Sequence, residues 1–577
     1  MRITRLNQRG FALEATMILL VLLATLIGAA VAGIVMVQKT AGIDYRGSRT
    51  TYASEAGADH VMSQLELAMS DGSISDADLA GLTAPSIPGM TITASGVRNG
   101  IAAPRTITAG PYTGLIGLNQ RIDVTVQARD QTANRSQVVV SVNAQTIPLF
   151  QFGVFYEGDL EIHNGPPLNF AGWVHTNGNL YLSSDNQTFK SMVTTAGNVY
   201  HQRKAYNERL NGVAIFKADT VTSTLLDFDS RSDPTPSAFS AKSASHFDSR
   251  LQTAAMGVTA LRLPLPTGMP AIAMVQPRSG GDTPEVQSVK MAWKADYHLT
   301  IDLNSPVENV CTGSGVVLTR PNSRQVPTGA ACAAIFVGKT NAFLEGRENK
   351  GVDLLTIDVG ALNAWIATDS THNHIEIMYI TFINDNAGNP ARDYPAVRLK
   401  NGNQLMEPFT VATDAPMYIW GNYNNALVWH PSALMGDAIT FLSNDWLDAP
   451  HAAFAYTATV NPMYVNAAIA AGHSATPCDW QVGGCSSPPY GGGLENFPRF
   501  LEDWGGSSSG RTMHYRGSLV SLFESAKANL HLWSWRGYYN APQRDWQFDL
   551  RFQDPSNLPP GTPNAGSVAQ IAFRPVY

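Results

Sequence analysis

Gly158-Asp159-Leu160-Glu161-Ile162, Gly178-Asn179-Leu180-Tyr181-Leu182 and Gly197-Asn198-Val199-Tyr200 follow one another at spacings of 20 and then 19 residues. Each copy joins a glycine turn, an Asp or Asn able to hydrogen-bond its own turn, and alternating apolar residues. A unit of this kind repeated at about twenty residues is what one coil of a parallel β-solenoid requires. One coil alone leaves a face unburied, so its neighbours must stack on it. The signature returns at Gly421-Asn422-Tyr423, Gly436-Asp437-Ala438-Ile439-Thr440-Phe441-Leu442 and Gly517-Ser518-Leu519-Val520-Ser521-Leu522-Phe523. The expected fold class is therefore mainly β, with a right-handed parallel β-helix-like body over 149–577. Reuse of the same turns in ordinary hairpins is the competing reading. The period is lost at about 201–405 and again at 462–510, and both intervals read as insertions into that body.

Upstream of the repeat, Arg121-Ile122-Asp123-Val124-Thr125-Val126 and Gln137-Val138-Val139-Val140-Ser141-Val142 alternate as antiparallel strands do, which places a small β module at 71–148. Before it, the 23 residues from Ala15 to Val37 carry no charge, enough for a helix to cross a bilayer. Tyr45, Tyr52, Ala58, Met62, Leu65 and Met69 recur near helical spacing, so the helix is expected to continue as an amphipathic stalk, giving one element over 11–70. Residues 1–10 hold Arg2, Arg5 and Arg9 and read as a cytoplasmic leader. The positive-inside rule then sends the body across the membrane.

Bulk composition agrees with an extracytoplasmic β protein. The chain has 577 residues, more than a single core usually serves, and only 15% of them are charged, while 49 are Gly and 34 Pro. Its net charge of −7 comes from scattered carboxylates, and no basic block gives a footprint for nucleic acid. The 4 cysteines fall into two local groups, Cys311 with Cys332 and Cys478 with Cys485, without zinc-ligand spacing. Two local disulfides are the natural pairing and imply an oxidising compartment, free thiols being the other reading.

Arg9-Gly10-Phe11-Ala12-Leu13-Glu14 followed by an unbroken apolar run resembles the leader junction of type IV prepilins. Tyr52-Ala53-Ser54-Glu55-Ala56-Gly57-Ala58 is similar to the small-residue segment of PilX-like minor pilins. The resemblance implies cleavage between Gly10 and Phe11 by a prepilin peptidase, and contact of Glu14 with other pilin subunits. In that family a glutamate stands fifth in the mature chain, whereas Glu14 is fourth, a turn of about 100° around the helix. A secretory signal cut after Ala30-Val31-Ala32 and an anchor that is never processed are the alternatives. Further along, Trp173-Val174-His175-Thr176-Asn177-Gly178, Gly493-Leu494-Glu495-Asn496-Phe497-Pro498-Arg499-Phe500 and Arg544-Asp545-Trp546-Gln547-Phe548-Asp549 resemble large bacterial envelope proteins, which implies an architecture and a location but no chemistry.

Motifs for chemistry are few. Gly506-Ser507-Ser508-Ser509-Gly510 has the GxSxG letters inside a flexible Gly/Ser loop rather than on a strand-to-helix elbow. His372, His374 and Glu376 would share one face of a strand and are the candidates for a metal. Asp437, Asp445, Asp448, Glu495, Glu502 and Asp503 read as turn caps, or else as calcium ligands or the acids of a polysaccharide enzyme. Trp533, Trp535, Tyr538, Tyr539, Trp546 and Phe548 cap the last coil or else stack on glycans as an adhesin surface. No cofactor is expected. The sequence thus points to a non-catalytic structural or assembly component of a type IV pilus or related secretion filament. It would be held in the bacterial inner membrane by one span, amino terminus in the cytoplasm, body in the periplasm or on the cell surface.

Overall fold

The computed structural model describes residues 11–576 apart from 70–73, 109, 267, 313–314, 321–323, 386–393, 449–459, 481–490, 492, 507–509 and 531–538. Its first element is a helix of 58 residues, α1 (Phe11–Ala68), about 87 Å long at 1.5 Å per residue. Every residue from Ala12 to Arg49 is exposed except Gly42, and burial begins at Thr50. The buried face then runs Thr50, Ala53, Ser54, Gly57, Ala58, Val61, Leu65, Met69, steps of one, three and four that keep one side of a helix turned to a neighbour. Tyr45 and Tyr52, expected on that side, are 65% and 70% exposed and face away from it.

The neighbour is an antiparallel sheet of β1 (Met90–Thr106), β2 (Ile116–Asp130) and β3 (Arg135–Pro148), whose fourth strand is the C-terminal strand Asn564–Val576. Ile122, Val124 and Val126 of β2 and Val138, Val140 and Val142 of β3 meet Ala58, Val61 and Leu65 of α1 in one core, the period-two face of a half-buried sheet. The small β module is thus not confined to 71–148. Everything in 149–563 lies between its third and fourth strands.

The rest of the chain is mainly β. Its largest sheet has 11 strands in the order Leu251–Gln252, Val193–Thr195, Val174–Thr176, Val154–Tyr156, Leu519–Glu524, Ala468–His473, Ser432–Gly436, Phe409–Thr413, Ile377–Ile383, Tyr297–Asp302 and Val316–Thr319. All neighbours in it are parallel except the last pair. The chain enters this sheet in the middle, at Val154, and adds strands outward to Leu251. It then crosses to the far end at Tyr297 and returns strand by strand until Leu519 pairs with Val154.

The repeated Gly-Asx turns lie one above another. Leu160 pairs with Leu180 and Leu180 with Val199, all in parallel. Asp159 Oδ1 accepts the Asn179 N–H at 2.7 Å and Asn179 Oδ1 the Asn198 N–H at 3.0 Å, so each Asx side chain serves the next turn rather than its own. That is why glycine precedes it: a Cβ on Gly178 would stand 2.5 Å from the Asp159 nitrogen, and one on Gly197 2.7 Å from Asn179 Oδ1. The same contact recurs where Asn422 N–H donates to Asn444 Oδ1 at 3.0 Å beside Gly421.

The intervals expected as insertions contribute to the sheets. Tyr297–Asp302 and Ile377–Ile383, inside 201–405, belong to the largest sheet, and Lys350–Asp358 and Tyr394–Lys400 to a 7-stranded one. Ala468–His473 and Pro498–Phe500 do the same inside 462–510. Antiparallel strands join the ends of several sheets, as Ser223–Leu225 does with Asn211–Phe216, and among the described residues the sheets are several and mixed, with no closed solenoid.

Burial follows the strand alternation. Val154, Val411, Leu434, Ile469 and Leu519 point into the main core, while Phe155, Ala412, Ala433, Ala468, Ala470 and Val520 point outward. That outer face is covered by a strap, 253–296, whose Leu261, Leu263, Met274, Val275 and Met291 pack on it. Alanine is frequent there because the strap lies close; Tyr379 Oη reaches across to donate to the Val275 carbonyl at 2.8 Å. Cys311 and Cys332 are disulfide-bonded at the far end of the stack, beside Tyr297–Asp302. Cys478 is also disulfide-bonded, and Cys485 lies outside the described residues.

Candidate functional site

The part of the molecule that differs most from an ordinary β protein is α1 and the surfaces it touches. Over 12–68 it is the one described helix long and apolar enough to cross a membrane, with a mean hydropathy of 2.8 in its most apolar window. Ala15–Val37 would span about 35 Å, slightly more than the hydrocarbon core of a bilayer. Gln38 to Arg49, with Lys39, Asp44, Arg46 and Arg49, then forms a polar spacer before the sheet. Docking of the upper half is set by small residues: a Cβ on Gly57 would stand 2.7 Å from Val126 Cγ1 and 3.1 Å from Ile92 Cγ2. Ser54 Oγ lies 3.2 Å from Ser136 Oγ, and Gln64 holds Thr83 through its Oε1 at 3.0 Å and its Nε2 at 2.7 Å. Gly10 lies outside the described residues. Phe11 is the first residue of α1, and Glu14 is exposed in its first turn with the apolar run on either side.

Clefts line the top of α1. One of about 440 Å³ is walled by Ser63, Glu66 and Leu67 of the helix and by Arg262, Leu265 and Met269 of the strap, with Glu157 at its base. Burial pushes the Glu157 carboxyl up to about 7, although Asn177 donates to it at 2.7 Å and Arg262 is near. A carboxyl raised in the folded state holds a proton that the unfolded chain has released, so stability falls as pH rises from 4.5 to 7. Glu157→Gln is expected to remove that fall, making the variant about 2 kcal/mol more stable than the parent at pH 8 and little different at pH 4.5. Urea unfolding at the two pH values checks it.

The candidate metal ligands do not come together. His372, His374 and Glu376 lie in the turn before Ile377–Ile383, not on a strand. His372 Nδ1 is 2.8 Å from Asp369, whereas His374 is hydrogen-bonded through Nδ1 to Glu407 and lies 3.2 Å through Nε2 from Glu376. Burial lowers the His374 pKa, but the two carboxylates more than offset it and the net direction is up. No group of three His, Cys, Asp or Glu side chains suited to a metal occurs among the described residues.

The acids considered for calcium or sugar chemistry hold the backbone together instead. Asp437 accepts N–H groups from Ala526, Lys527 and Ala528 at 2.6 to 3.2 Å. Asp445 takes the Asn461 N–H at 2.8 Å, and Asp448 pairs with Arg398 at 2.6 Å. Glu495 receives the His163 N–H at 3.3 Å. Glu502, raised to about 7 by burial, accepts Ser443 N–H at 2.6 Å, and Asp503 takes the Gly505 N–H at 2.8 Å. Of these contacts that of Asp503 lies within a turn, while the others tie together segments distant in sequence, Asp448 through the Arg398 side chain. Of the GxSxG letters, 507–509 lie outside the described residues, as do Trp533, Trp535 and Tyr538. Tyr539, Trp546 and Phe548 are buried, but they cap no open end: the strand Gln543–Phe548 sits at the joint where the returning half meets the first half, with Phe548 against Gly153 and Gly172.

Glu345, Arg347 and Glu348, to which the sequence reading assigns no role, form a buried ionic cluster with Arg499. Arg499, 5% exposed, is bonded to Glu348 and lies 4.0 Å from Glu345, which are 3% and 1% exposed. Arg347 beside it donates to Asn496 Oδ1 at 2.9 Å, as Tyr539 Oη also does. Burial alone would lower the Arg499 pKa, but the two glutamates raise it. The only sequence signal was Glu345-Gly346-Arg347-Glu348, an unusual density of charge in a chain poor in it.

Neither a family model nor a curated protein matches this chain. Among solved structures it is similar to the competence-associated pilin ComZ from Thermus thermophilus at 11% identity and a TM-score of 0.27, covering 92% of this chain and 97% of that one. A likeness at that score carries no argument here.

Proposed function

We propose that this chain is a membrane-anchored structural or assembly component of a type IV pilus or a related secretion filament, acting by presenting its β body rather than by catalysis. One observation carries the reading: α1 is divided into an apolar half exposed all round and an upper half that docks through small residues on its own sheet. An apolar helix exposed on every side needs lipid or other apolar helices around it. With Arg2, Arg5 and Arg9 before the span, the body lies outside the cytoplasm, and the Cys311–Cys332 disulfide suits an oxidising compartment there. The body is read as stacked, β-helix-like coils of which 154–200 is the regular part. Its partners are the inner membrane, a prepilin-type peptidase acting at Gly10-Phe11, and other subunits reached through α1 near Glu14.

Mass spectrometry of the mature chain taken from membranes tests this reading. A terminus at Phe11 is expected. An intact Met1 would count against processing, and a terminus at Gly33 would replace the anchor by a secretory signal.

A further inference from the structure

We propose that the C-terminal strand Asn564–Val576 is a latch, aimed by the finished body, whose closure completes the sheet on which α1 docks. It is paired antiparallel with β3 from Pro148↔Asn564 to Gln137↔Val576. Until it arrives, β3 is an edge strand with an open row of N–H and C=O groups, and residues 149–563 separate the two partners in sequence.

The approach of the strand is fixed on the body. Residues 555–563 carry Pro555, Pro559, Pro560 and Pro563, a stiff lead. Thr410 of the largest sheet donates its hydroxyl to the Pro560 carbonyl at 2.7 Å, and the Leu149 N–H to that of Pro563 at 2.8 Å. The lead therefore reaches β3 in register only when the strand Phe409–Thr413 is in place. The inner half of the latch then meets three elements at once. Val568 enters the core under α1, Ala565 the core under the strap, and Gly566 donates its N–H to the Arg262 carbonyl at 3.0 Å. Gly566 has no side chain because Met69 of the stalk crosses it, its carbonyl oxygen 2.9 Å from where a Cβ would be. The outer half is different: Phe573 and Val576 are 38% and 46% exposed, so it rests mainly on the ladder to β3. The order of events follows from this asymmetry: the body forms, the inner half locks onto stalk and strap, and the outer half zips last.

The test deletes 564–577 from the full chain in detergent and follows amide hydrogen exchange. Amides of β3 and of 53–69 are expected to exchange faster by a factor of roughly 100, while 409–436 keeps its protection, and a synthetic peptide of residues 564–576 restores β3. Unchanged protection of β3 overturns the proposal. So does loss of protection across 409–436, because the strand would then be an ordinary part of one cooperative unit. As an open edge invites aggregation, full-length Val568→Asp gives a second reading, expected in the same direction, and β3 exchange identical to the parent's there would equally overturn it.

Discussion

Arg499→Met is expected to destabilise the body by about 3–5 kcal/mol, more than any surface charge change in the molecule. The guanidinium is the cation bonded directly to Glu348 in a cluster that also holds Glu345 and Arg347, and its Nη1 donates to the Ala528 carbonyl at 2.7 Å. Those carboxylates are otherwise engaged with backbone: Glu345 takes the Glu348 N–H at 2.6 Å and Glu348 the Leu530 N–H at 3.0 Å. Methionine fills most of the volume but leaves two buried acids with Arg347 alone to balance them. Glu345, which burial already raises, would take up a proton instead. A carboxyl raised in the folded state loses stability as pH rises, so the variant should fall further behind the parent at pH 8 than at pH 5. Adding Glu348→Gln should recover part of the loss, because an amide costs less to bury than a charge. Guanidinium unfolding of the two variants at both pH values measures this. An equal loss at pH 5 and pH 8 would mean that packing rather than charge holds the cluster.

How much of this was legible in the sequence depends on whether a feature leaves a local mark. The turns at Gly178 and Gly197 do, because a Cβ there would collide with the turn beneath, so period and parallel stacking can be read from spacing. The strands Tyr297–Asp302 and Ile377–Ile383 do not, since the chain between them wanders through helices and a disulfide loop before pairing. Nor does sequence order reveal that Leu519 returns to Val154, or that Asn564–Val576 completes the first sheet: both are contacts between segments hundreds of residues apart. Helical spacing located the stalk but assigned Tyr45 and Tyr52 to its buried face: Tyr45 lies before the docked stretch, and Tyr52 is within it but turned to the other side. For the site residues, alternation suggests a strand at His372–Glu376, whereas the turn there separates the imidazoles onto different carboxylates. Of the acids, Asp503 does cap its own turn, whereas Asp437, Asp445, Asp448, Glu495 and Glu502 reach segments distant in sequence, which local spacing does not record.

Gly57→Val should separate the stalk from its sheet. Taken as a helix residue alone, the change is favourable by a few tenths of a kcal/mol, since glycine is among the poorest helix formers. The docked face reverses the sign. A Cβ already stands 2.7 Å from Val126 Cγ1 and 3.1 Å from Ile92 Cγ2, and valine adds two methyl groups further toward β2, where Val126 is fully buried. Val126, the nearer partner, cannot retreat, because it belongs to the row of Ile122, Val124 and Ala128 that also receives Val61 and Leu65. The helix must lift, at a cost of about 2–3 kcal/mol for a crowded core, and lifting it uncovers Leu65 and Met69 as well. Ala56→Val is the control: Ala56 is exposed on the opposite side, so the same side chain there meets no sheet. Proteolysis in detergent should cut Gly57→Val within 50–69 at least tenfold faster than the parent or the control, a factor that corresponds to about 1.4 kcal/mol of lost docking. Equal cutting of all three chains would mean that the small residues of 53–58 serve some purpose other than close approach to the sheet.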